Sequence, residues 1–134
     1  MIFVDTSAWV ALFVSEDRFH GQAAEFAQTL ERKGVALIST FDIFSETLTV
    51  IRSRSSLAQA LAFGEAFLSS AILLREEIDS GLRREAWNLF KKYRDKPLSF
   101  TDCTSFALLR KRGIRDVFSF DADFKRLGFE VNML

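Results

Sequence analysis

The chain has one cysteine, one proline, one histidine and six glycines in 134 residues. Each shortage excludes something. A lone Cys103 forms no internal disulfide, which fits a reducing compartment. With one histidine and one cysteine, a zinc site built on nitrogen and sulfur has too few ligands. So little glycine and proline leaves no stretch that reads as a flexible linker, and no low-complexity segment or internal repeat is visible. A single domain over 1–134 is the expectation. No run of about 18 apolar residues exists, so no membrane-spanning segment is expected. Met1 leads directly into Ile2-Phe3-Val4-Asp5, without a charged and then apolar leader, so no signal peptide is expected. Together these make a soluble cytoplasmic protein the expectation. Net charge is also missing: 18 basic residues balance 18 acidic ones, so nothing draws the whole molecule to nucleic acid. Setting four clustered acids aside would leave the remaining surface basic.

What is present is apolar and aromatic. Hydrophobic residues make up 49% of the chain, with fifteen phenylalanines, enough for one continuous core and a surplus that could line a partner interface. Ile2 to Val4 reads as a short buried strand, followed by cap residues Asp5-Thr6-Ser7 and a helix over Ala8 to Val14. Ser15 or Asp17 is a candidate cap for a second helix. Its apolar stripe, Phe19, Ala23, Phe26, Ala27 and Leu30, follows helical spacing and ends at Gly34. A strand is expected over 35–39 and a helix over 41–52. Ser55 or Ser56 then opens a helix to Ser70, and Ile72 to Leu74 reads as a strand. A helix from Asp79 or Ser80 places Leu82, Ala86, Leu89, Phe90 and Tyr93 on one face, and Pro97 breaks it. Ser99 opens a helix that ends before Gly113. Asp116 to Phe120 is a strand, Asp121 caps a short helix, and Phe129 to Met133 closes the chain as a strand. Strands alternating with helices imply a mainly parallel sheet covered on both faces, with sites at the carboxyl ends of its strands.

Four acids stand where strands give way to helices: Asp5, Glu46, Asp102 and Asp121. Asp5 and Asp121 have an ordinary alternative role as N-caps. Asp102 lies three residues after Ser99, which resembles a capping box, yet it shares a helix face with Phe106 and Leu109. Asp123 could share or replace the role of Asp121. Glu46 sits among Ile43 and Val50 in an apolar helical segment, where a lone carboxylate is costly unless it is paired, protonated or metal-bound. The structural alternative is an ion pair with Arg52 or Arg54. Carboxylates without His or Cys suit a hard cation, Mg²⁺ or Mn²⁺. One such ion can ionise a bound water, and a second can stabilise the leaving oxygen of a phosphodiester. Spacing alone is not diagnostic, but acid count and placement point to metal-dependent phosphodiester hydrolysis. A strand ending Asp5-Thr6-Ser7 lacks the Asp-x-Asp pair of haloacid-dehalogenase-type phosphatases.

Other residues have plainer readings. His20 has no evident partner and reads as surface structure. Cys103 reads as a packing residue. Trp9 and Trp87 read as core or interface aromatics. The cations Arg83, Arg84, Lys91, Lys92 and Arg94 read as solvated helix faces. Arg52 and Arg54, which follow the helix carrying Glu46, are the first candidates for phosphate contacts.

The opening Ile2-Phe3-Val4-Asp5-Thr6-Ser7-Ala8-Trp9 resembles the start of a PIN domain, and so does Phe44-Ser45-Glu46-Thr47-Leu48-Thr49 around Glu46. Leu98 to Leu108, with Ser99, Thr101 and Asp102, resembles that family's third acidic motif, and Val117-Phe118-Ser119-Phe120-Asp121-Ala122-Asp123-Phe124 its fourth. The motifs come in the family's order over essentially the whole chain, and its size and the Gly128-Phe129 pair look most like VapC-type toxins of prokaryotic toxin–antitoxin pairs. The resemblance implies a three-layer α/β/α fold with a central parallel sheet and a Mg²⁺- or Mn²⁺-dependent endoribonuclease acting on single-stranded or loop RNA. It carries over Asp5 and Asp102 as principal metal ligands, Glu46 and Asp121 as further catalytic acids, and Thr6, Thr101, Ser119 and Asp123 as supporting residues. It also implies a homodimer and a cognate antitoxin that blocks the site. Two other functions remain open at this point: a housekeeping PIN nuclease acting in RNA maturation or on flap-like DNA, and a non-catalytic PIN-like module that binds a protein through a phenylalanine-rich surface.

Overall fold

A computed structural model describes residues 1–131. Twelve elements follow one another: β1 (Ile2–Val4), α1 (Thr6–Phe13), α2 (His20–Arg32), β2 (Leu37–Thr40), α3 (Phe41–Arg54), α4 (Leu57–Ser69), β3 (Leu73–Glu76), α5 (Ser80–Lys92), α6 (Phe100–Arg112), β4 (Asp116–Phe118), α7 (Ala122–Arg126) and β5 (Glu130–Val131). The five strands form one sheet in the order β3-β2-β1-β4-β5, and every pairing is parallel. This is the three-layer α/β/α arrangement that strand–helix alternation implies. α1 packs on α2, α3 and α4, while α5 lies along α6.

Caps set the boundaries. Thr40, Ser56, Asp79 and Ser99 each accept a backbone N–H of the helix that follows them, satisfying a donor that has no intrahelical partner. Gly34 and Gly113 end helices in the left-handed region, at φ 65° and 67°, which glycine adopts without the Cβ penalty. One expected start is displaced. Neither Ser15 nor Asp17 caps α2: Asp17 accepts the N–H of Phe19 at 2.8 Å and closes a turn, so the helix begins only at His20. The expected closing strand runs over Glu130–Val131; its remaining positions, up to Met133, lie outside the described residues.

Six of the fifteen phenylalanines are buried and eight are half-buried. Among the fifteen, only Phe90 is an exposed large hydrophobic, at 39%. Trp9, Phe63 and Phe67 pack at centroid distances of 5.5 to 5.8 Å between α1 and α4, and Phe106 stacks on Phe129 at 6.0 Å. No surface of fully exposed phenylalanine rings is therefore present among the described residues. Among the described residues no helix is long and apolar enough to cross a membrane.

The placement of β1 matters most. Its neighbours are β2 on one side and β4 on the other, so the chain's path through the sheet reverses there. In open parallel sheets a crevice opens beyond the carboxyl ends of the strands at such a point. Asp5 follows β1 directly, Ser119 to Asp121 follow β4, α3 follows β2, and the start of α6 completes the rim.

Candidate active site

Asp5 is buried, 3% exposed, and caps α1. Its Oδ2 accepts three bonds: from the Ser7 backbone N–H at 3.4 Å, the Ser7 hydroxyl at 3.0 Å and the Ser119 hydroxyl at 3.0 Å. Its Oδ1 is buried with no hydrogen-bond partner. Ser7 accepts the Phe120 N–H at 2.9 Å, and Ser119 accepts the Asp121 N–H at 2.9 Å. Each serine therefore gives its one proton to Asp5 while pinning the segment that leaves β4. The 3.1 Å separation of the two hydroxyl oxygens is then a close approach, not a third bond. Burial pushes the Asp5 carboxyl up to about 6, against the pull of the two serine bonds and with a smaller push from the charge of Asp121.

Asp102 occupies the third position of α6 and completes a capping box. Its N–H donates to the Ser99 hydroxyl at 3.0 Å, and its Oδ2 accepts the Ser99 N–H at 3.0 Å. Capping and site membership are compatible here, because the cap uses one oxygen and leaves the charge beside the other acids. Burial raises Asp102 to about 7, helped by repulsion from Asp5, Asp121 and Glu46 and opposed by the Ser99 N–H. Asp121 caps α7 by accepting the Asp123 N–H at 2.9 Å, and burial raises it too.

Glu46 is half-buried on α3. The ion pair with Arg52 or Arg54 offered by the sequence is absent among the described residues. Instead Oε2 accepts the Thr6 hydroxyl at 2.7 Å, which ties the first turn of α1 to the middle of α3. The burial cost expected of a lone carboxylate is thus met by a hydroxyl and by partial solvation.

These four acids line one cleft of about 540 Å³. Asp17, Arg18, Phe19, Phe120 and Arg54 also line it. Arg52 is exposed and does not. Asp123 is elsewhere: it is buried and held by Arg126 at 2.7 Å. Thr101 lines a neighbouring depression of about 470 Å³ that shares Glu46 with the cleft, and among the described residues its hydroxyl bonds none of the acids. His20 Nδ1 donates to the Ala11 carbonyl at 2.8 Å, joining α2 to α1, so it is structural. Cys103 is buried and its thiol is raised to about 11, the opposite of an activated nucleophile. Trp9 is interior, with its indole donating to Ser39 at 3.3 Å, whereas Trp87 is 49% exposed. Ser7 and the Arg18–Phe19 wall were not singled out as site residues by sequence reasoning. The Asp5-x-Ser7 spacing was the available signal for the first, since a serine two residues after a cap can reach back to its carboxylate.

Among the described residues no group of three or more His, Cys, Asp or Glu side chains stands in an arrangement that could hold a metal ion. There is no preformed cage. The donor chemistry nevertheless fits a hard divalent cation: the acids that meet here offer only carboxylate oxygen, Asp5 Oδ1 is buried without a partner, and Asp5 and Asp102 are both raised by burial and by neighbouring charge. A cation is what would let both ionise at neutral pH.

Comparison with known proteins agrees with this geometry. The PIN domain model matches residues 2–130. The 23S rRNA-specific endonuclease VapC20 of Mycobacterium tuberculosis is 34% identical over 129 residues, in both strain CDC 1551 / Oshkosh and strain ATCC 25618 / H37Rv, covering 96% of this chain and 95% of the relative. The crystal structure of M. tuberculosis VapC20, described as a sarcin–ricin loop cleaving toxin, superposes with a TM-score of 0.86 at 32% identity, covering 97% of each chain. The acidic crevice at the reversal point of a parallel sheet and the match along nearly the whole sequence lead to one conclusion: the chain belongs to the PIN domain family.

Proposed function

We propose that this protein is a VapC-type toxin, an endoribonuclease that hydrolyses an RNA phosphodiester bond in the acidic cleft, with Asp5, Glu46, Asp102 and Asp121 as its catalytic carboxylates. The observation that carries this reading is electrostatic. Acids from four separate segments line one cleft, and Asp102 is pushed to about 7 partly by the charges of the other three. Natural sequences do not gather uncompensated carboxylates without a use for them.

Asp5 and Asp102 would hold Mg²⁺ or Mn²⁺. When bound, such an ion supplies Lewis-acid polarisation of the phosphate and lowers the pKa of a coordinated water. The protein's own part is positioning. Ser7 and Ser119 immobilise Oδ2 of Asp5 and leave Oδ1 without a partner. Ser99 fixes Asp102, and Thr6 fixes Glu46. Arg54, in the cleft wall, is the phosphate contact; Arg52, outside it, is not. Because VapC20 is a 23S rRNA-specific endonuclease, a loop of 23S rRNA is the first substrate to try. The reading extends to one domain over residues 1–134, a homodimer, a cytoplasmic location and neutralisation by a cognate antitoxin. A non-catalytic module binding through exposed phenylalanines has less support, because only Phe90 among the fifteen is exposed.

Purified protein should cleave such an RNA with Mg²⁺ or Mn²⁺ and stop when EDTA is added; cleavage indifferent to EDTA would remove the metal from the account. In the same assay Arg54→Ala should raise KM about fivefold, the scale of one lost phosphate contact, while Arg52→Ala should leave it unchanged. Equal effects of the two substitutions would count against Arg54 as a cleft contact.

A further inference from the structure

One wall of the cleft carries a ladder of three side chains that carboxylate chemistry does not use. Phe19 lies flat on Phe120, with centroids 4.4 Å apart and planes 9° from parallel. The Arg18 guanidinium carbon sits 4.4 Å from the Phe19 centroid. Phe120 already fills one face of Phe19, so the guanidinium takes the other. The order is Phe120, Phe19, Arg18. The rings are half-buried and Arg18 is exposed, and all three line the cleft beside the acids.

Two features set this ladder apart from ordinary packing. First, Arg18 makes no ion pair among the described residues, although five carboxylates line the same cleft. Its position is set by an aromatic face instead. Second, the foot of the ladder is tied to the reacting centre: the Phe120 N–H donates to the Ser7 hydroxyl at 2.9 Å, and that hydroxyl donates to Asp5 at 3.0 Å. A contact made at the ladder is therefore held at a fixed distance from Asp5.

A phosphate contact needs only a positive charge. A guanidinium seated over an aromatic ring brings its own plane as well as its charge, and a plane matches the π-face of an unstacked nucleobase. We propose that Phe120, Phe19 and Arg18 form a stacking platform for one nucleobase of the RNA near the bond that is cut, with the base continuing the ladder on the outer face of Arg18. The platform positions the strand against the repulsion of the acids. This rests on the endoribonuclease reading above and adds to it a determinant of how the substrate is placed.

The test uses single-stranded RNA of mixed sequence with 2-aminopurine placed at each position in turn, titrated with full-length protein in Ca²⁺. Stacking should quench fluorescence several-fold at one position. Arg18→Lys keeps the charge and loses the plane, so it should abolish that quench and weaken binding about tenfold, in the range of one lost base stack. Phe19→Leu, which removes the prop, should do the same, with its fold checked by circular dichroism. An abasic site at the quenched position should weaken binding to the native protein and have no further effect on Arg18→Lys. A quench that survives Arg18→Lys, or native binding indifferent to abasic sites everywhere, overturns the platform. RNA cleavage in Mg²⁺ is scored separately. Cleavage with an unchanged quench in Arg18→Lys defeats the platform alone, whereas an Arg18-dependent quench without cleavage upholds the platform and defeats the nuclease.

Discussion

Asp102→Asn should all but abolish RNA cleavage and at the same time make the metal-free protein more stable. Asparagine is nearly the same size, and its carbonyl oxygen still accepts the Ser99 N–H that closes the capping box, so α6 keeps its start. What disappears is a charge. On the proposed reading that charge would bind the cation and act on the phosphate; losing it should lower kcat/KM by about a thousandfold, roughly 4 kcal/mol of transition-state stabilisation. In the unliganded fold the same charge is a burden. Asp102 is raised to about 7 because burial and three neighbouring carboxylates oppose its ionisation. Neutralising it at pH 8 should add on the order of 4 kcal/mol, seen as a higher urea midpoint without divalent ions. A variant that is stable and cuts at the native rate would remove Asp102 from the mechanism. One that loses activity and also stability would mean that the residue is chiefly a cap.

The second large effect is a pH dependence whose sign follows from the same strain. Asp5 moves from 3.8 to about 6 and Asp102 from 3.8 to about 7 on folding. Well below pH 3.8 both groups are protonated in either state and cost nothing. As pH rises from about 4 to about 7, the unfolded chain gives up these protons while the folded one holds them, so the metal-free protein loses stability over that window. The loss is complete once pH passes the folded values. For Asp5 alone it is on the order of 3 kcal/mol. Without divalent ions, Tm should therefore be higher at pH 5 than at pH 8. Saturating Mn²⁺ should narrow the difference by stabilising the protein at pH 8, adding about 3 kcal/mol at a hundredfold over Kd, or about 10 °C in Tm. At pH 5 protons compete for the carboxylates, and the gain should shrink. Equal metal-free Tm values at the two pH values, or a Mn²⁺ shift independent of pH, would show that the carboxylates are not strained together.

What the sequence made legible was local. Asp5 as a cap, Ser99-x-x-Asp102 as a capping box, Gly34 and Gly113 as helix ends, and the stripe from Ala23 to Leu30 are relations within a few residues, and residue chemistry reports them directly. Strand–helix alternation implied the parallel sheet, because short buried strands joined by helices have few other solutions. What remained hidden was long-range. The partner of Glu46 was sought among arginines eight residues or fewer away, whereas it is Thr6, forty positions earlier. The Arg18–Phe19–Phe120 ladder joins residues from the first and last parts of the chain, and no periodicity connects them. Asp123 resembled Asp121 on paper, two positions apart, yet the short α7 turns one acid to the cleft and the other to Arg126. The abundance of phenylalanine was ambiguous for a different reason: composition counts rings but does not say which way they face.

The Ser119–Asp5 bond spans 114 residues, and β4 must slot beside β1 before it can form. During translation, then, the Asp5 carboxylate waits for 114 further residues before its serine partner is made, with Asp121 close behind. A ribosome that terminates early releases a fragment with acids but no finished crevice. For an enzyme whose proposed target lies within ribosomal RNA, splitting the proposed centre between segments more than a hundred residues apart keeps the acids from acting together until both segments have left the machine that makes them.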